Sequence, residues 1–243
     1  MRNISLFAVL SFICFSSAAS VVLNSTRVIF PSESKSVSVQ LVNKSKNTHL
    51  VQSWIDDGRA EAKPEELNTP FMISPPVVKI NANDGQTLRI SKNTLSEALP
   101  KDRESLFWLN VIDVPPEPEN AADNGNYLQV AIRNRIKLFW RPASLKISAD
   151  KISDLVSLKR SGNGKLCADN PTPYYVTVSQ VMKWDGKSRT VQNNIKGNLL
   201  DGAMTLSPFS CQPINKMPAT PGKYQMVHVD DYGSRVPFVV EYK

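Results

Sequence analysis

Short runs of apolar residues that alternate with polar ones recur along this chain. In one run Val37, Val39 and Leu41 alternate with small or polar residues at positions 36, 38 and 40. Successive side chains of a β-strand point to opposite faces, so this pattern predicts a strand with one face in a core and the other in water. Similar runs lie between clusters of Gly, Pro, Asn and Asp, and helical periodicity is scarce. The pattern predicts an all-β sandwich fold.

Several local signals refine this prediction. Trp54 lies in the next apolar run and is expected in the sandwich core. Residues 83–85, Asn-Asp-Gly, predict a tight turn before a further strand. A short helical turn is expected over 95–99, and Pro100 should end it.

Two adjacent apolar runs dominate the first half of the chain, over 105–114 and 127–140. A polar loop rich in proline and ending in Asp-Asn-Gly joins them, so we expect the two strands to pair as a hairpin.

A second set of strands follows Arg141 and includes the runs at 174–181 and 223–229. This change predicts a domain boundary near residues 141–146. We therefore divide the mature chain into domains at 21–142 and 143–243, each with the length and strand count of an immunoglobulin-like sandwich.

The first twenty residues differ from the rest in composition. Arg2 supplies a positive charge, residues 4–15 form a mostly apolar run, and small residues follow at 16–20. This is the pattern of a secretory signal peptide. The apolar run of about 12 residues is well short of the roughly 20 that span a bilayer as a helix. We expect an exported, soluble protein without membrane insertion whose mature chain begins near Ser20 or Val21.

Removal of this leader also removes Cys14 and leaves two cysteines, Cys167 and Cys211. In an oxidising compartment they predict one disulfide, which would close a loop of about 45 residues and contribute roughly 4 kcal/mol. Two unconnected buried thiols are the alternative. A zinc site is not expected, because the only histidines, His49 and His228, lack ligand spacing from a cysteine.

The mature chain keeps a net charge of about +6, which is the +7 of the whole chain less Arg2. Its basic residues form no run and no alternation with aromatic residues, so a nucleic-acid partner is not expected. The excess charge is typical of a solvated surface, with mild help toward acidic partners. The chain also has no phosphate-binding loop or paired metal-ligand motif, and we expect no cofactor.

The run at 127–140 is the most informative stretch of the sequence. At about 3.3 Å per residue it would reach roughly 40 Å as one strand, two to three times the usual length. Leu128, Val130 and Ile132 share one face of its first half, and its second half is basic and then aromatic.

Composition leaves two interpretations of this strand open. It could be a long edge strand of its own sheet, guarded against aggregation by the cations Arg133, Arg135 and Lys137. It could instead pair with another chain, with its backbone giving affinity and its apolar row filling a groove in the partner. Three fully buried side chains would contribute roughly 5 to 9 kcal/mol before the costs of association.

Longer motifs favour the second interpretation. Residues 99–116, LPKDRESLFWLNVIDVPP, resemble the signature of periplasmic pilus-assembly chaperones of the chaperone–usher pathway. The resemblance continues, in the order of the family, at 26–30, 135–142, 170–177 and 231–233. It points to the short-loop branch, because the loop at 115–126 is short to intermediate and has no cysteine pair nearby.

The resemblance implies two immunoglobulin-like domains set at an angle, with a cleft between them. It implies a periplasmic chaperone, not an enzyme, that caps fimbrial subunits and delivers them to an outer-membrane usher. In this family the chaperone completes the open fold of the subunit with one of its own strands, and the matching donor positions are Leu128, Val130 and Ile132.

The resemblance also implies roles for charged residues. Arg27 and Lys137 match the cleft positions that hold the C-terminal carboxylate of a subunit. A second set matches a charged cluster at the domain hinge: Glu104, Arg141 and Asp231. In an ideal strand Lys137 has opposite parity to Ile132. A bulge or a change of twist between them, or a pleat that leaves both faces accessible, would let Lys137 reach the cleft while the apolar row contacts the partner.

Other functions are weighed against this one. An exported structural or adhesive fibre component would share the fold but would carry its own N-terminal donor extension, whereas this mature chain enters its first strand within a few residues. An exported hydrolase would need His49 or His228 as a general base, and neither lies in a nucleophile motif. A free chaperone with such an exposed edge strand could also associate with a second copy of itself.

Overall fold

The computed structural model describes residues 20–117, 127–161, 164–187, 190–191 and 197–243. Within these ranges most ordered elements are strands, and the all-β prediction is confirmed. The predicted signal peptide lies outside the described residues, apart from Ser20. None of the described helices is long and apolar enough to cross a membrane.

The first half of the chain folds as a sandwich of two sheets. The strands run in the order β1-β3-β7-β5 in one sheet and β2-β9-β8-β4-β6 in the other. Their bounds are β1 Val21–Leu23, β2 Arg27–Pro31, β3 Ser36–Asn43, β4 His49–Asp56, β5 Phe71–Ser74, β6 Val77–Ile80, β7 Gly85–Lys92, β8 Ser105–Val114 and β9 Ile132–Arg141. Short 3-10 turns occur at Pro64–Glu66 and Thr94–Ala98, the second of which confirms the predicted helical turn.

Alternation along the strands builds the core of this sandwich. Val39 and Leu41 are buried, as β3 was predicted to place them. Phe30 packs against Trp140 at 5.5 Å and against Phe71 at 5.2 Å between ring centroids. The turn before β7 is also present, with Asn83 at a φ of 57°.

The prediction that Trp54 belongs to the core is wrong. Val51 and Ile55 of β4 point inward and are buried. Trp54 has the opposite parity, so it lies half-buried on the outer face of the sheet. There the guanidinium carbon of Arg133 is 5.1 Å from the centre of its ring.

The predicted hairpin of β8 and β9 is confirmed, but the second strand is shorter than predicted. Asp113 lies opposite Ile132 and Ser105 lies opposite Trp140 in its antiparallel register. Residues 127–131 adopt no strand structure, and most of the predicted loop, residues 118–126, lies outside the described residues.

The second half of the chain forms another pair of sheets, with the orders β10-β11-β14 and β13-β12-β15-β16. The predicted strands at 174–181 and 223–229 correspond to β12 and β15. The bounds are β10 Ser157–Arg160, β11 Leu166–Asn170, β12 Val176–Lys183, β13 Met204–Leu206, β14 Ser210–Pro213, β15 Gly222–Val229 and β16 Arg235–Tyr242. A 3-10 turn, Ala149–Lys151, and a one-turn helix α1, Ile152–Leu155, precede them.

A disulfide links two strands of this second sandwich. Cys167 of β11 and Cys211 of β14 are joined, with 5.5 Å between their Cα atoms. The structure therefore contains the predicted bridge. The two hydrophobic cores are separate, since the first ends at Trp140 and the second begins at Ile152. The predicted division after residue 142 lies between them and stays a prediction.

Candidate functional site

The two sandwiches meet at one end of the five-stranded sheet. Phe139 of β9 lies on the outer face of that sheet and packs against Tyr175, with 6.0 Å between ring centroids. The backbone N–H of Glu104 donates to the carbonyl of Pro173 at 2.9 Å. Next to these contacts residues of both sandwiches line a cleft of about 410 Å³, with Arg27 in its wall.

Two cations lie side by side on the outer face of the five-stranded sheet, where it meets the second sandwich; Arg27 lines the cleft and Lys137 contacts Thr177 and Thr205. Arg27 is the register partner of Lys137 in the parallel pairing of β2 with β9. Nη1 of Arg27 donates to the carbonyl of Val229 at 2.9 Å, and its Nε is buried without a partner. Nζ of Lys137 donates to Oγ1 of Thr177 at 2.7 Å and of Thr205 at 2.5 Å. Within the described ranges neither cation forms an ion pair with a carboxylate.

The electrostatics of this pair favour an incoming anion. Burial, and then the nearby charge of Arg27, lowers the pKa of Lys137 to about 8. Burial also lowers the pKa of Arg27, although nearby carboxylates oppose this effect. A carboxylate between the two would stabilise both charged forms and accept charge-assisted hydrogen bonds, each worth about 1.5 to 3 kcal/mol.

The three residues predicted for the hinge cluster are also in contact. Nε of Arg141 donates to Glu104 at 2.7 Å, and its two Nη groups donate to the carboxylate of Asp231 at 2.6 and 2.8 Å. The other oxygen of Glu104 accepts the backbone N–H of Tyr175 at 2.8 Å. One guanidinium thus joins β9 and the residue before β8 in the first sandwich to the β15–β16 turn of the second.

Burial acts on the hinge carboxylate and the hinge guanidinium with different outcomes. It raises the pKa of Glu104, which is 2% exposed, and the charge of Arg141 only partly offsets this. It opposes the charged form of Arg141 too, but hydrogen bonds to Asp231 and the charge of Glu104 prevail and raise the pKa of Arg141. The cluster therefore depends on Arg141 staying in place between two acidic groups.

The β15–β16 turn that carries Asp231 comes very close to the first sandwich. Gly233 has a φ of 85°, and a Cβ at this position would lie 2.4 Å from Oγ1 of Thr26. A glycine is therefore required for both conformation and space. This contact holds Asp231 near Arg141 and next to the strand that carries Arg27.

One side of β9 has a free edge beyond the cleft. Pairing with β2 covers only residues 137–141, and no described strand pairs with that side over 132–136. The free edge borders a groove of about 390 Å³, with β1 as the opposite wall and Ile132 and Ile136 among its lining residues. The three predicted donor residues are all exposed, at 88% for Leu128, 57% for Val130 and 47% for Ile132.

The parity of β9 is regular along its whole paired length. Its register against β8 runs without a shift from Ile132 to Trp140. Of the alternatives left open for this stretch, a bulge between Ile132 and Lys137 is therefore absent. Lys137 points toward Thr177 and Thr205 of the second sandwich and Ile132 lines the groove, so the ordinary pleat presents the two side chains on opposite faces.

Arg135 and Lys137 of β9 make specific contacts and are not free charges at the edge of the sheet. Arg135 donates to both oxygens of the fully buried Asp56, at 2.9 and 2.7 Å, and its guanidinium lies 4.1 Å from the ring centre of Trp108. Nζ of Lys137 is 5.7 Å from the same ring. Trp108 thus supports the cleft cation, a contact that the sequence did not predict.

Both histidines are buried. Nδ1 of His49 is 2.6 Å from a carboxylate oxygen of Asp113, and Nε2 of His228 is 2.9 Å from Oγ of Ser153. Burial lowers the pKa of His228. In the part of the chain that the structure describes, no group of three or more His, Cys, Asp or Glu is arranged to hold a metal.

Two family models together match most of the chain. Residues 20–146 match the model described as Pili and flagellar-assembly chaperone, PapD N-terminal domain. Residues 151–239 match the model described as Pili assembly chaperone PapD, C-terminal domain. The chain belongs to the pilus-assembly chaperone family. Its membership favours a chaperone over a structural fibre component.

Individual pilus-assembly chaperones are similar over nearly the whole chain. Chaperone protein HifB of Haemophilus influenzae is 40% identical over 223 residues, which cover 90% of this chain and 87% of HifB. The crystal structure of the Pseudomonas aeruginosa CupB2 chaperone matches with a TM-score of 0.73 and 34% identity, over 91% of this chain and 100% of CupB2.

A third match comes from a complex. A chain in the structure of Salmonella enterica SafA pilin with the SafB chaperone has a TM-score of 0.70 and 26% identity to this chain, and the match covers 93% of this chain and 98% of that one. These matches confirm the expected architecture of two sandwich domains with a cleft between them.

Proposed function

We propose that this chain is a periplasmic chaperone that binds fimbrial subunits by strand donation and delivers them to an outer-membrane usher. The observation that carries this proposal is the free edge of β9, which continues into exposed apolar residues at 128, 130 and 132. Family membership supports the choice of partner, and the predicted signal peptide supports the location.

Strand addition needs unpaired backbone N–H and C=O groups and a row of apolar side chains on one face of the strand. Over 132–136 the N–H and C=O groups on the open side of β9 are available for a partner strand. An incoming strand would bond to them, and alternate apolar residues of the chaperone would enter the open core of the subunit. Burial of the row would favour the complex by roughly 5 to 9 kcal/mol before association costs of similar size, so a further contact is needed.

The pair of Arg27 and Lys137 supplies that contact. We propose that it holds the C-terminal carboxylate of the subunit, which would give the two cations the direct carboxylate partner that neither has among the described residues. Lys137 lies five residues from Ile132 along one regular strand, about 16 Å at the usual rise. A carboxylate fixed there would set the register of the partner strand, where a slip of one residue would turn every side chain to the wrong face.

Capture of subunits should weaken as the pH rises above about 8. Burial lowers the pKa of Lys137 to about 8, so below this pH the free chaperone already carries the charge and binding exchanges no proton at this site. Above it, binding of a carboxylate must take up a proton, and the affinity should fall by up to about tenfold per pH unit.

Titration calorimetry between pH 6.5 and 9.5 checks this expectation. Lys137→Arg is the control, because a guanidinium keeps its charge over the whole range and should remove the decline. A flat profile for the unmodified chaperone, or the same decline in both proteins, would contradict the assignment of Lys137.

Charged substitutions in the donor row should also weaken capture. Val130→Glu or Ile132→Glu would each remove a buried apolar side chain from the complex and place a carboxylate in the core of the subunit. We expect affinity to fall by about 100-fold or more in each case, with little change in stability because both positions are exposed in the free protein.

Co-purification from periplasm with a subunit identified by mass spectrometry measures this effect. Met72→Glu is a matched control, because Met72 is 64% exposed on β5 of the other sheet. Capture by both donor-row variants at the level of the control would refute strand donation. Delivery is tested separately, by binding of the purified chaperone–subunit complex to an isolated usher, and absence of binding would remove that part of the proposal.

A further inference from the structure

A buried carboxylate lies at the end of the first sandwich, away from the cleft. Asp113 of β8 is 2% exposed on the inward face of its sheet. One oxygen is 2.6 Å from Nδ1 of His49. The other accepts the backbone N–H of Val21 at 3.0 Å and the hydroxyl of Ser20. Within the described residues no Lys or Arg pairs with it, and its neighbour His49 is a cation only when the imidazole is protonated. A buried carboxylate beside a neutral imidazole is costly.

The two residues that reach this carboxylate lie at the predicted end of the signal peptide. The match to the family also begins at residue 20. Hydrolysis of the peptide bond before Ser20 or Val21 gives a carboxylate on the leader and an amine on the mature chain, and this amine is largely protonated at pH 7. If Val21 is the first residue, that nitrogen is already 3.0 Å from Asp113. If Ser20 is the first, the amine is one residue away on the same segment.

We propose that Asp113 and His49 form a receptor for the α-ammonium group of the mature chain, which creates a buried ion pair that the precursor lacks. In the precursor the same nitrogen is a neutral amide and can only donate a hydrogen bond. The ion pair fixes the start of β1, which is held on its other side by pairing with β3. Since β1 is one wall of the groove beside β9, leader removal completes that wall. The ion pair itself does not depend on strand donation.

A single inserted glycine tests this receptor. The first mature residue of the secreted chain is identified by mass spectrometry, and one glycine is inserted immediately before it. The insertion moves the ammonium group from Asp113 but keeps every side chain. We expect the unfolding midpoint to fall by about 4 °C in the unmodified chain. In Asp113→Asn, which has no carboxylate to pair, the same insertion should have no effect.

An equal fall in both backgrounds, no fall in the unmodified chain, or a mature chain that begins at residue 22 or later would overturn the proposal. If Asp113→Asn does not fold, acetylation of the α-amine by acetic anhydride at neutral pH gives a second measurement. The amine of the unmodified chain should react at least tenfold more slowly than that of the insertion variant. Equal rates would overturn the proposal.

Discussion

Replacement of Arg27 or Lys137 by alanine is expected to abolish co-purification of subunits while the fold stays intact. Each cation should donate charge-assisted hydrogen bonds to the subunit carboxylate, so each loss should lower affinity by about 10- to 150-fold. The two side chains are register partners on β2 and β9, and the loss of both should lower the affinity further than either single loss.

Calorimetry with a purified subunit and thermal unfolding of each variant separate a binding defect from a folding defect. Arg89→Ala is a matched control, because Arg89 is exposed on β7 of the opposite sheet and its Nε bonds to Ser36. Retained co-purification in both Arg27→Ala and Lys137→Ala would eliminate the carboxylate anchor.

Arg141→Ala should have the largest effect on stability. It would leave Glu104, which is 2% exposed, as a buried carboxylate without its cation, and would break the link to Asp231. Removal of one partner of a buried pair typically costs about 3 to 5 kcal/mol. Because the same guanidinium joins both domains, the angle between them should also become less well defined.

Urea unfolding measures the loss in stability, and small-angle scattering measures the change in shape. The double variant Glu104→Gln, Arg141→Met should recover a large part of the stability, since no buried charge remains unpaired. A free energy of unfolding for Arg141→Ala within about 1 kcal/mol of the unmodified protein would contradict this account of the hinge.

Much of the fold could be predicted from alternation, and the errors have physical causes. The alternation of Val37, Val39 and Leu41 was sufficient for β3. The same signal at 128, 130 and 132 predicted a strand from residue 127, whereas β9 begins at Ile132. Alternation indicates that one face of a segment is apolar, but it does not show whether that face packs on its own chain or on a partner. Trp54 was assigned to the core because it lies in an apolar run, although its parity relative to Val51 places it outside.

The site was only partly predictable. Arg27 and Lys137 are far apart in sequence, and only the family motif indicated that they meet. Thr177 and Thr205, which bond to Lys137, were missed because no sequence pattern shows which strands of the second domain face the cleft. The ion pair of Arg135 with Asp56 was missed for a related reason, since it depends on the packing order of β9, β8 and β4.

Residue-specific amide hydrogen exchange of the co-purified complex tests strand donation most directly. Amides over 128–136 should exchange rapidly on the open side of β9 in the free chaperone and at least about 100-fold more slowly in the complex, where a subunit strand would bond to them. Amides of β4, which is paired on both sides, should be unchanged. Unaltered exchange over 128–136 in an intact complex would contradict the central claim that this strand is lent to the subunit.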